Sequence, residues 1–323
     1  MNKNCIFTIC AKNYIGLAET LGVSVKKHNP DTDFYIVVAD EFSADEKHFE
    51  TNNCIVSKSI LPISEELWTN MTFKYNLTEF CTAIKPFSFD YFFTEKNYEK
   101  VLYMDPDTFV YNPMNYIFDR LDTHLFITAP HITIPDYPYT GDLPDTSFLF
   151  NGISNLGFLG VRKSEKSLEI MKWWQDRLSY MCFGEMLWAV CTDQKWMDFL
   201  PAFLDNSDVY FSNNLGLNLA PWNYFEREII QENNEFFVIH RGKRKPNKDR
   251  LIFAHFAGYN YKEFATSKVI NNKSRMRINN LKEYHDINPA LQLYINHIWE
   301  HRETFLKYLH LPYSYATFNN GVT

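Results

Sequence analysis

The chain has 323 residues, with 32 Lys and Arg against 39 Asp and Glu, for a formal net charge of −7. Hydrophobic residues make up 46% and charged residues 22%, ordinary globular usage that excludes disorder as the main state. The acidic balance, with no RNA- or DNA-binding motif, argues against nucleic acid as a partner.

Cys5-Ile-Phe-Thr-Ile-Cys10 is a short apolar run and reads as a buried strand. A helical pattern follows from Tyr14 to His28 and stops at Asn29-Pro30. Asp33 to Ala39 is a second strand. Asn76 to Phe93 reads as a helix broken near Pro86, because proline disfavours helix at the residue before it. Lys100 to Met104 is a third strand, ending in Asp105-Pro-Asp107. Leu125–Ala129 and Gly157–Val161 look like strands. Ser164 to Tyr180 reads as a helix with Ser164 as its cap. Asp193 to Phe203 is expected to be helical, Phe236–His240 and Leu251–His255 to be strands, and 288–309 to be one amphipathic helix. Strands alternating with helices from the start predict an α/β fold with a mixed, mainly parallel sheet. Ligands of such sheets bind beyond the carboxyl ends of the strands.

No apolar run reaches the roughly 18 residues needed to span a bilayer, and the stretch after Met1-Asn2-Lys3-Asn4 is too short for a secretory leader. The expectation is a cytoplasmic protein. Cys5, Cys10, Cys54, Cys81, Cys182 and Cys191 form no CxxC pair and lie in apolar runs, as reduced thiols do. The sequons at Asn70, Asn76 and Asn272 are then chance matches. Charge is unevenly spread: Arg241 to Arg277 carries eleven Lys/Arg and two acids, a local net of +9. That segment reads either as an anion-handling surface for phosphates or an acidic membrane, or as a solvated hairpin loop.

Asp105-Pro-Asp107 is the sharpest chemical feature. Two carboxylates just past a buried strand can both face a cleft, and their hard oxygens suit Mg²⁺ or Mn²⁺ shared with substrate phosphates. The competing reading is a turn held by local hydrogen bonds. His255 closes a late strand, with Gly258 permitting close backbone approach. Asp193 is read as a helix cap, a site residue, or both. Trp222 and Asn223 read as an acceptor subsite or as core, and Trp173 and Trp174 as packing.

In this order the motifs resemble the GT-A glycosyltransferases, and more narrowly the glycogenin-like retaining family (family eight) and related bacterial surface-polysaccharide enzymes. The likeness runs over about residues 5–260. It implies a Rossmann-like GT-A catalytic domain over 1–265, with a nucleotide-sugar half of about 1–110 and an acceptor half of about 111–265. A helical C-terminal extension would occupy 266–323. By resemblance, Thr8, Ala11 and Tyr14 lie at the nucleotide of a UDP-sugar, with Tyr14 against the uracil. Lys85 in Thr82-Ala-Ile-Lys85 lies near the donor. Asp105, Asp107 and His255 hold Mn²⁺ or Mg²⁺. Asn155 in Asn155-Leu-Gly157-Phe158 meets the transferred sugar, as does the pair Asp193-Gln194. His255-Phe-Ala-Gly258 is the late His-x-x-Gly segment. Ala129-Pro-His131 and Asn218-Leu-Ala-Pro-Trp222-Asn223 resemble bacterial members, which makes His131, Trp222 and Asn223 acceptor candidates. The sequence departs where the family often has a lysine six residues after the metal histidine. Tyr261 stands there, with Lys262 one later.

Chemically, a divalent ion on Asp105, Asp107 and His255 stabilises a departing diphosphate as a Lewis acid, and Lys85 with the basic segment adds to that term. Gln194 is neutral and no strong nucleophile, which favours front-face substitution with retention. The expected acceptor is a surface glycan or its lipid-linked precursor, reached by peripheral contact with an anionic membrane face. Two other classes compete. One is a nucleotide-sugar or glycan-binding protein without turnover. The other is a haloacid dehalogenase-like phosphohydrolase, whose motif wants Thr or Val where this chain has Phe109.

Overall fold

The computed structural model describes residues 3–49, 53–242, 248–267 and 284–315. The chain opens with β1 (Asn4–Cys10), α1 (Ile15–His28), β2 (Asp33–Val38) and β3 (Cys54–Val56). Next come α2 (Ser57–Ile60), α3 (Glu65–Lys74), α4 (Leu77–Ala83) and α5 (Lys85–Thr94). Then follow β4 (Lys100–Met104), β5 (Thr108–Val110), α6 (Asn115–Thr123), β6 (Phe126–Pro130), α7 (Thr146–Asn151), β7 (Ser154–Arg162) and α8 (Glu165–Tyr180). The short β8 (Gly184–Glu185) and β9 (Val190–Cys191), then α9 (Leu200–Phe203) and β10 (Val209–Phe211), complete the middle. Last are β11 (Arg227–Glu232), β12 (Glu235–His240), β13 (Lys248–Arg250), β14 (Phe253–His255), α10 (Tyr261–Ser267), α11 (Asn288–Glu300) and α12 (Arg302–Leu309).

The central sheet has seven strands in the order β10-β6-β7-β4-β1-β2-β3. All neighbours run parallel except β7, which is antiparallel to both β4 and β6. This one reversal positions the site, because β7 begins at the sheet edge where β1 and β4 end. The alternation of β1 explains the layers. Cys5, Phe7 and Ile9 enter one apolar cluster with α5 and α8, while Ile6 and Cys10 enter another with α1 and α6. A strand buried on both faces is a near-continuous apolar run, and Cys5 to Cys10 is one apart from Thr8.

A two-stranded ribbon branches off past β4. β5 pairs antiparallel with β14, which sets His255 opposite Thr108. The meander β11-β12-β13 flanks it. A third apolar cluster joins this layer to α11 through Phe109, Tyr111, Phe256, Tyr294 and Ile298.

The expected helix break falls at Ile84, with Pro86 inside the first turn of α5, where a missing amide hydrogen costs nothing. Asn76 caps α4 with Glu79 in a reciprocal capping box, and Ser164 caps α8 as expected. Asp193–Phe203 is instead a 3₁₀ turn over Gln194–Phe199 followed by one α turn. The single helix expected over 288–309 is two, α11 and α12, meeting at His301. Residues 284–315 pack back on the sheet unit: Phe305 and Tyr308 are buried in it, and Tyr315 accepts a 3.2 Å bond from Trp68 Nε1.

None of the six cysteines is in a disulfide. Among the described residues no helix is long and apolar enough to cross a membrane. Of the basic segment, positions 243–247 and 268–277 lie outside the described residues, as does the Asn272 sequon. Three of its described cations are in ion pairs: Arg241 with Asp286 at 2.9 Å, Arg250 with Glu235 at 3.0 Å, and Lys248 with Glu232.

Candidate functional site

Three consecutive residues near the start of β7, Asn155, Leu156 and Gly157, organise the cleft. Gly157 O accepts from the backbone of Asp105 at 2.8 Å. Leu156 O accepts from Lys85 Nζ at 2.8 Å, and Leu156 N donates to Gln194 Oε1 at 3.4 Å. Asn155 Oδ1 accepts from Gly157 N at 3.1 Å and from Asn218 Nδ2 at 3.2 Å. These bonds engage the Asn155 oxygen within the fold.

The carboxylates and the histidine meet above this strand end. His255 Nε2 lies 3.0 Å from Asp107 Oδ1 and 3.7 Å from Asp105 Oδ2. One ligand atom from each of the three residues falls within 4.8 Å of the others. Tyr103 donates its hydroxyl to Asp105 Oδ1. Tyr261 Oη lies 2.8 Å from Asp107 Oδ2 and 2.7 Å from Phe256 O, with one proton to share between them. Burial raises the Asp105 carboxyl, against the opposing pull of His255 and Lys85. Desolvation acts on the half-buried Asp107 too, yet the His255 charge and the His255 and Tyr261 bonds hold it below the usual carboxylate range. Burial disfavours a charged His255, but Asp107 outweighs it and the imidazole is raised. The Asp107 carboxylate and the His255 imidazole thus favour each other's charged forms.

These residues fit a divalent ion. Two carboxylates and an imidazole are a mixed oxygen and nitrogen set suited to Mn²⁺. His255 Nδ1 is buried without a hydrogen-bond partner, so the ring lacks the second bond of a locked structural histidine. Gly157 makes the room. A Cβ there would sit 2.4 Å from His255 Cε1 and 2.7 Å from both Asp105 Oδ2 and Asn155 Oδ1. Gly157→Ala should therefore displace all three groups and weaken Mn²⁺ binding by about 10²-fold, since misplacement of about 1 Å costs that much at a tuned site. Calorimetric titration with Mn²⁺ checks this, and unchanged affinity would show that the cradle is not needed. Gly258, at φ +74°, closes the turn after β14 in a conformation that favours glycine.

Lys85 and Asp193 are 1% and 3% exposed and form a direct ion pair. The Lys85 ammonium also lies 4.0 Å over the Tyr103 ring. Lys85 is engaged by Leu156 O and Asp193 in this structure. Asp193 sits at the cap position of the 3₁₀ turn but makes no cap bond, because its carboxylate is engaged by Lys85 and Thr192. The pair braces the turn that delivers Gln194. Gln194 Nε2 is 3.5 Å from both Asn151 Oδ1 and Cys191 Sγ.

At the end of β1, Thr8 is fully buried with its hydroxyl unpartnered, Ala11 is 2% exposed, and Tyr14 is 39% exposed. Burial and then the charge of Asp107 raise the Tyr14 phenol, which ties that ring electrostatically to the carboxylates. Lys262 is exposed on α10, and its neighbour Tyr261 is the residue that reaches Asp107.

The three acceptor candidates separate. Trp222 is buried, edge-on to His255 at 5.2 Å and to His131 at 5.7 Å, with its indole N–H unpartnered. It walls the histidine rather than offering an open ring face. Asn223 is fully buried. Its amide donates to Asn218 O at 3.0 Å and His131 O at 3.4 Å and accepts from Ala220 N at 2.9 Å. With both donors used it shapes the turn carrying Asn218 and Trp222, and it is corrected from ligand contact to support. His131 is 5% exposed, its Nδ1 lies 2.9 Å from Gly152 O, and burial lowers its pKa to about 4.

A histidine depressed in the folded state is neutral there and charges on unfolding. Its stabilising effect is present above the unfolded value near 6.5 and is lost as pH falls toward 4. The difference is worth at most about 3 kcal/mol. Urea unfolding at pH 7 and pH 5 should show a smaller pH penalty in His131→Leu than in the wild type, and equal penalties would sink this assignment.

Comparison with known proteins gives no matching family model and no matching curated protein. Solved structures do align. The galactosyltransferase LgtC in complex with donor and acceptor sugar analogues is 15% identical with a TM-score of 0.46, covering 97% of this chain and 99% of that one. A glycosyltransferase involved in glycosylation of the major capsid of PBCV-1 is 14% identical with a TM-score of 0.42, covering 80% and 96%. The glycosyltransferase GlyE of Streptococcus pneumoniae TIGR4 is 19% identical with a TM-score of 0.40, covering 67% and 48%. At these values the likeness carries no activity across, and the chemistry of the site has to bear the reading.

Several residues of the site carried no sequence signal. Tyr103 and Tyr261 orient the carboxylates, and the indole N–H of Trp174, on α8, donates to Asp193 O at 3.1 Å. The i+2 spacing of Tyr103 to Asp105 was the one available hint, since alternate residues of a strand share a face.

Proposed function

We propose that the chain is a GT-A-type glycosyltransferase: metal-dependent, retaining, and moving a sugar from a UDP-sugar to a surface glycan or its lipid-linked precursor. The observation that carries this reading is the meeting of Asp105, Asp107 and His255 over the strand end that also holds Asn155 and Gln194. A carboxylate pair bound only as a turn would have no reason to face a histidine from a ribbon 148 positions later, across a glycine cradle.

Asp105, Asp107 and His255 would hold a divalent ion, which supplies charge stabilisation to the leaving diphosphate. Tyr103 and Tyr261 keep the two carboxylates aimed, so little reorganisation accompanies reaction. Asn155 offers its amide hydrogens to the sugar, and Gln194 offers a neutral amide close by. Asp193 is neutralised by Lys85 and is no free nucleophile. The acceptor hydroxyl then attacks from the face the diphosphate leaves. The bond from the anomeric carbon to phosphate oxygen breaks as the bond to the acceptor oxygen forms. The hydroxyl proton passes to the departing diphosphate, and configuration is retained. Tyr14 receives the base, and Thr8 and Ala11 line the nucleotide end. Such an acceptor places the enzyme at the cytoplasmic face of the membrane as a peripheral protein.

A calorimetric panel of UDP, GDP, CMP and their sugars, with and without Mn²⁺, tests the reading. Binding of a UDP-sugar only in the presence of metal is expected. No response to any nucleotide overturns it. Donor binding with neither transfer nor hydrolysis over a broad acceptor set would assign a binding protein instead.

A further inference from the structure

We infer that His297, Glu300 and His301 form a second metal site, for a borderline transition-metal ion such as Zn²⁺, at the junction of α11 and α12. Positions i, i+3 and i+4 share one face of a helix, and the turn stays closed here because His301 N donates to His297 O at 3.2 Å. The two imidazole centroids are 4.6 Å apart. One ligand atom from each of the three residues lies within 4.8 Å of the others.

The donor set decides the ion. Two imidazole nitrogens and one carboxylate oxygen suit Zn²⁺, Co²⁺ or Ni²⁺, and are a poor match for Mg²⁺ or Ca²⁺, which want oxygen throughout. Glu300 and His301 are exposed and His297 is half-buried, so a fourth position is open to water. His297 is not held as a structural histidine is: its Nε2 is shielded from solvent and has no hydrogen-bond partner. Lys27 is the nearby opposing charge, and Glu300 is the compensating one.

The position gives the ion a structural consequence. His297 packs on Phe109 at 5.4 Å, and Tyr294, one turn earlier, stacks on Phe256 at 4.5 Å. Phe109 and Phe256 each lie beside a ligand of the first cluster, two residues from Asp107 and next to His255. On its other side His301 lines a cavity of about 890 Å³ between α1, β2 and α12, together with Thr304 and Glu19. An ion here pins α12 to α11 directly behind the carboxylate site.

The test uses the full-length, tag-free chain carrying Asp107→Ala, which disables the first cluster and keeps this question separate from the transferase reading. Zn²⁺ should bind at one equivalent and raise the unfolding temperature by about 4 °C at a hundredfold excess over Kd. Co²⁺ should give visible bands of a nitrogen-ligated, low-coordinate site. Adding His301→Ala, a surface change that circular dichroism can certify as folded, should weaken Zn²⁺ at least about 10²-fold. Glu300→Gln should weaken it less. Absence of Zn²⁺ binding in the Asp107→Ala protein, or binding that survives His301→Ala unchanged, overturns the assignment.

Discussion

Asp107→Ala is expected to lower sugar transfer at least about 10³-fold and to abolish Mn²⁺-dependent donor binding. Of the two carboxylates, Asp107 is the one whose charge the protein secures. His255 lies 3.0 Å from it and Tyr261 2.8 Å, and these partners hold its carboxyl below the usual range although it is half-buried. Removing it takes away a metal ligand and leaves His255 facing only Asp105, at 3.7 Å. Charge stabilisation of a leaving diphosphate by a bound ion is worth several kcal/mol, and each 1.36 kcal/mol is tenfold in rate. Activity in the variant with added Mn²⁺ is the readout, and full activity refutes the assignment. The same geometry fixes a pH dependence. His255 is raised, so without metal the ring keeps a proton above the ordinary histidine range. An ion must displace that proton, so Mn²⁺ affinity rises with pH until His255 is neutral and then levels off. Affinity that falls with rising pH over that range would contradict the ligand role of His255.

What the sequence disclosed follows physical range. β1, β2 and β4 were legible because strands buried on both faces are near-continuous apolar runs, and the Asp105-Pro-Asp107 turn is local. Ser164 was legible as a cap because capping is settled within three residues. The joining of Asp107 to His255 spans 148 positions. It was reached only through resemblance, since nothing local marks a histidine as a ligand. The Lys85–Asp193 pair, 108 positions apart, was missed for the same reason. Lys85 was read as near a donor and Asp193 as a cap, a site residue or both; the cap bond is absent because the Asp193 carboxylate meets Lys85 and Thr192. Trp174 was rightly read as core, since it is fully buried. The one polar atom of its ring, bound to Asp193 O, carries its bearing on the site. Asn223 shows the converse. Beside Trp222 it looked like a sugar contact, but the turn it closes uses both of its donors.

Lys85→Met should cost about 3–5 kcal/mol of stability, because it strands the Asp193 carboxylate in a site 3% exposed. The double variant Lys85→Met, Asp193→Leu removes both charges. A buried ion pair replaced by apolar residues of similar size is often neutral in stability, so the double variant should recover most of the loss. Its transferase activity should not return, because the charged pair also fixes Gln194: Leu156 joins Lys85 through its carbonyl and Gln194 through its amide. The same substitution loosens the Tyr103 ring under the ammonium, and with it the bond to Asp105. Denaturant unfolding of the two single variants and the double variant, with kcat measured on each, separates the roles. Recovered stability without recovered kcat marks the pair as a positioning device. Recovery of both would make it a packing element with no bearing on the chemistry. Loss of kcat in Lys85→Met with unchanged stability would instead mean that the lysine contacts the substrate, and that the ion pair gives way when donor binds.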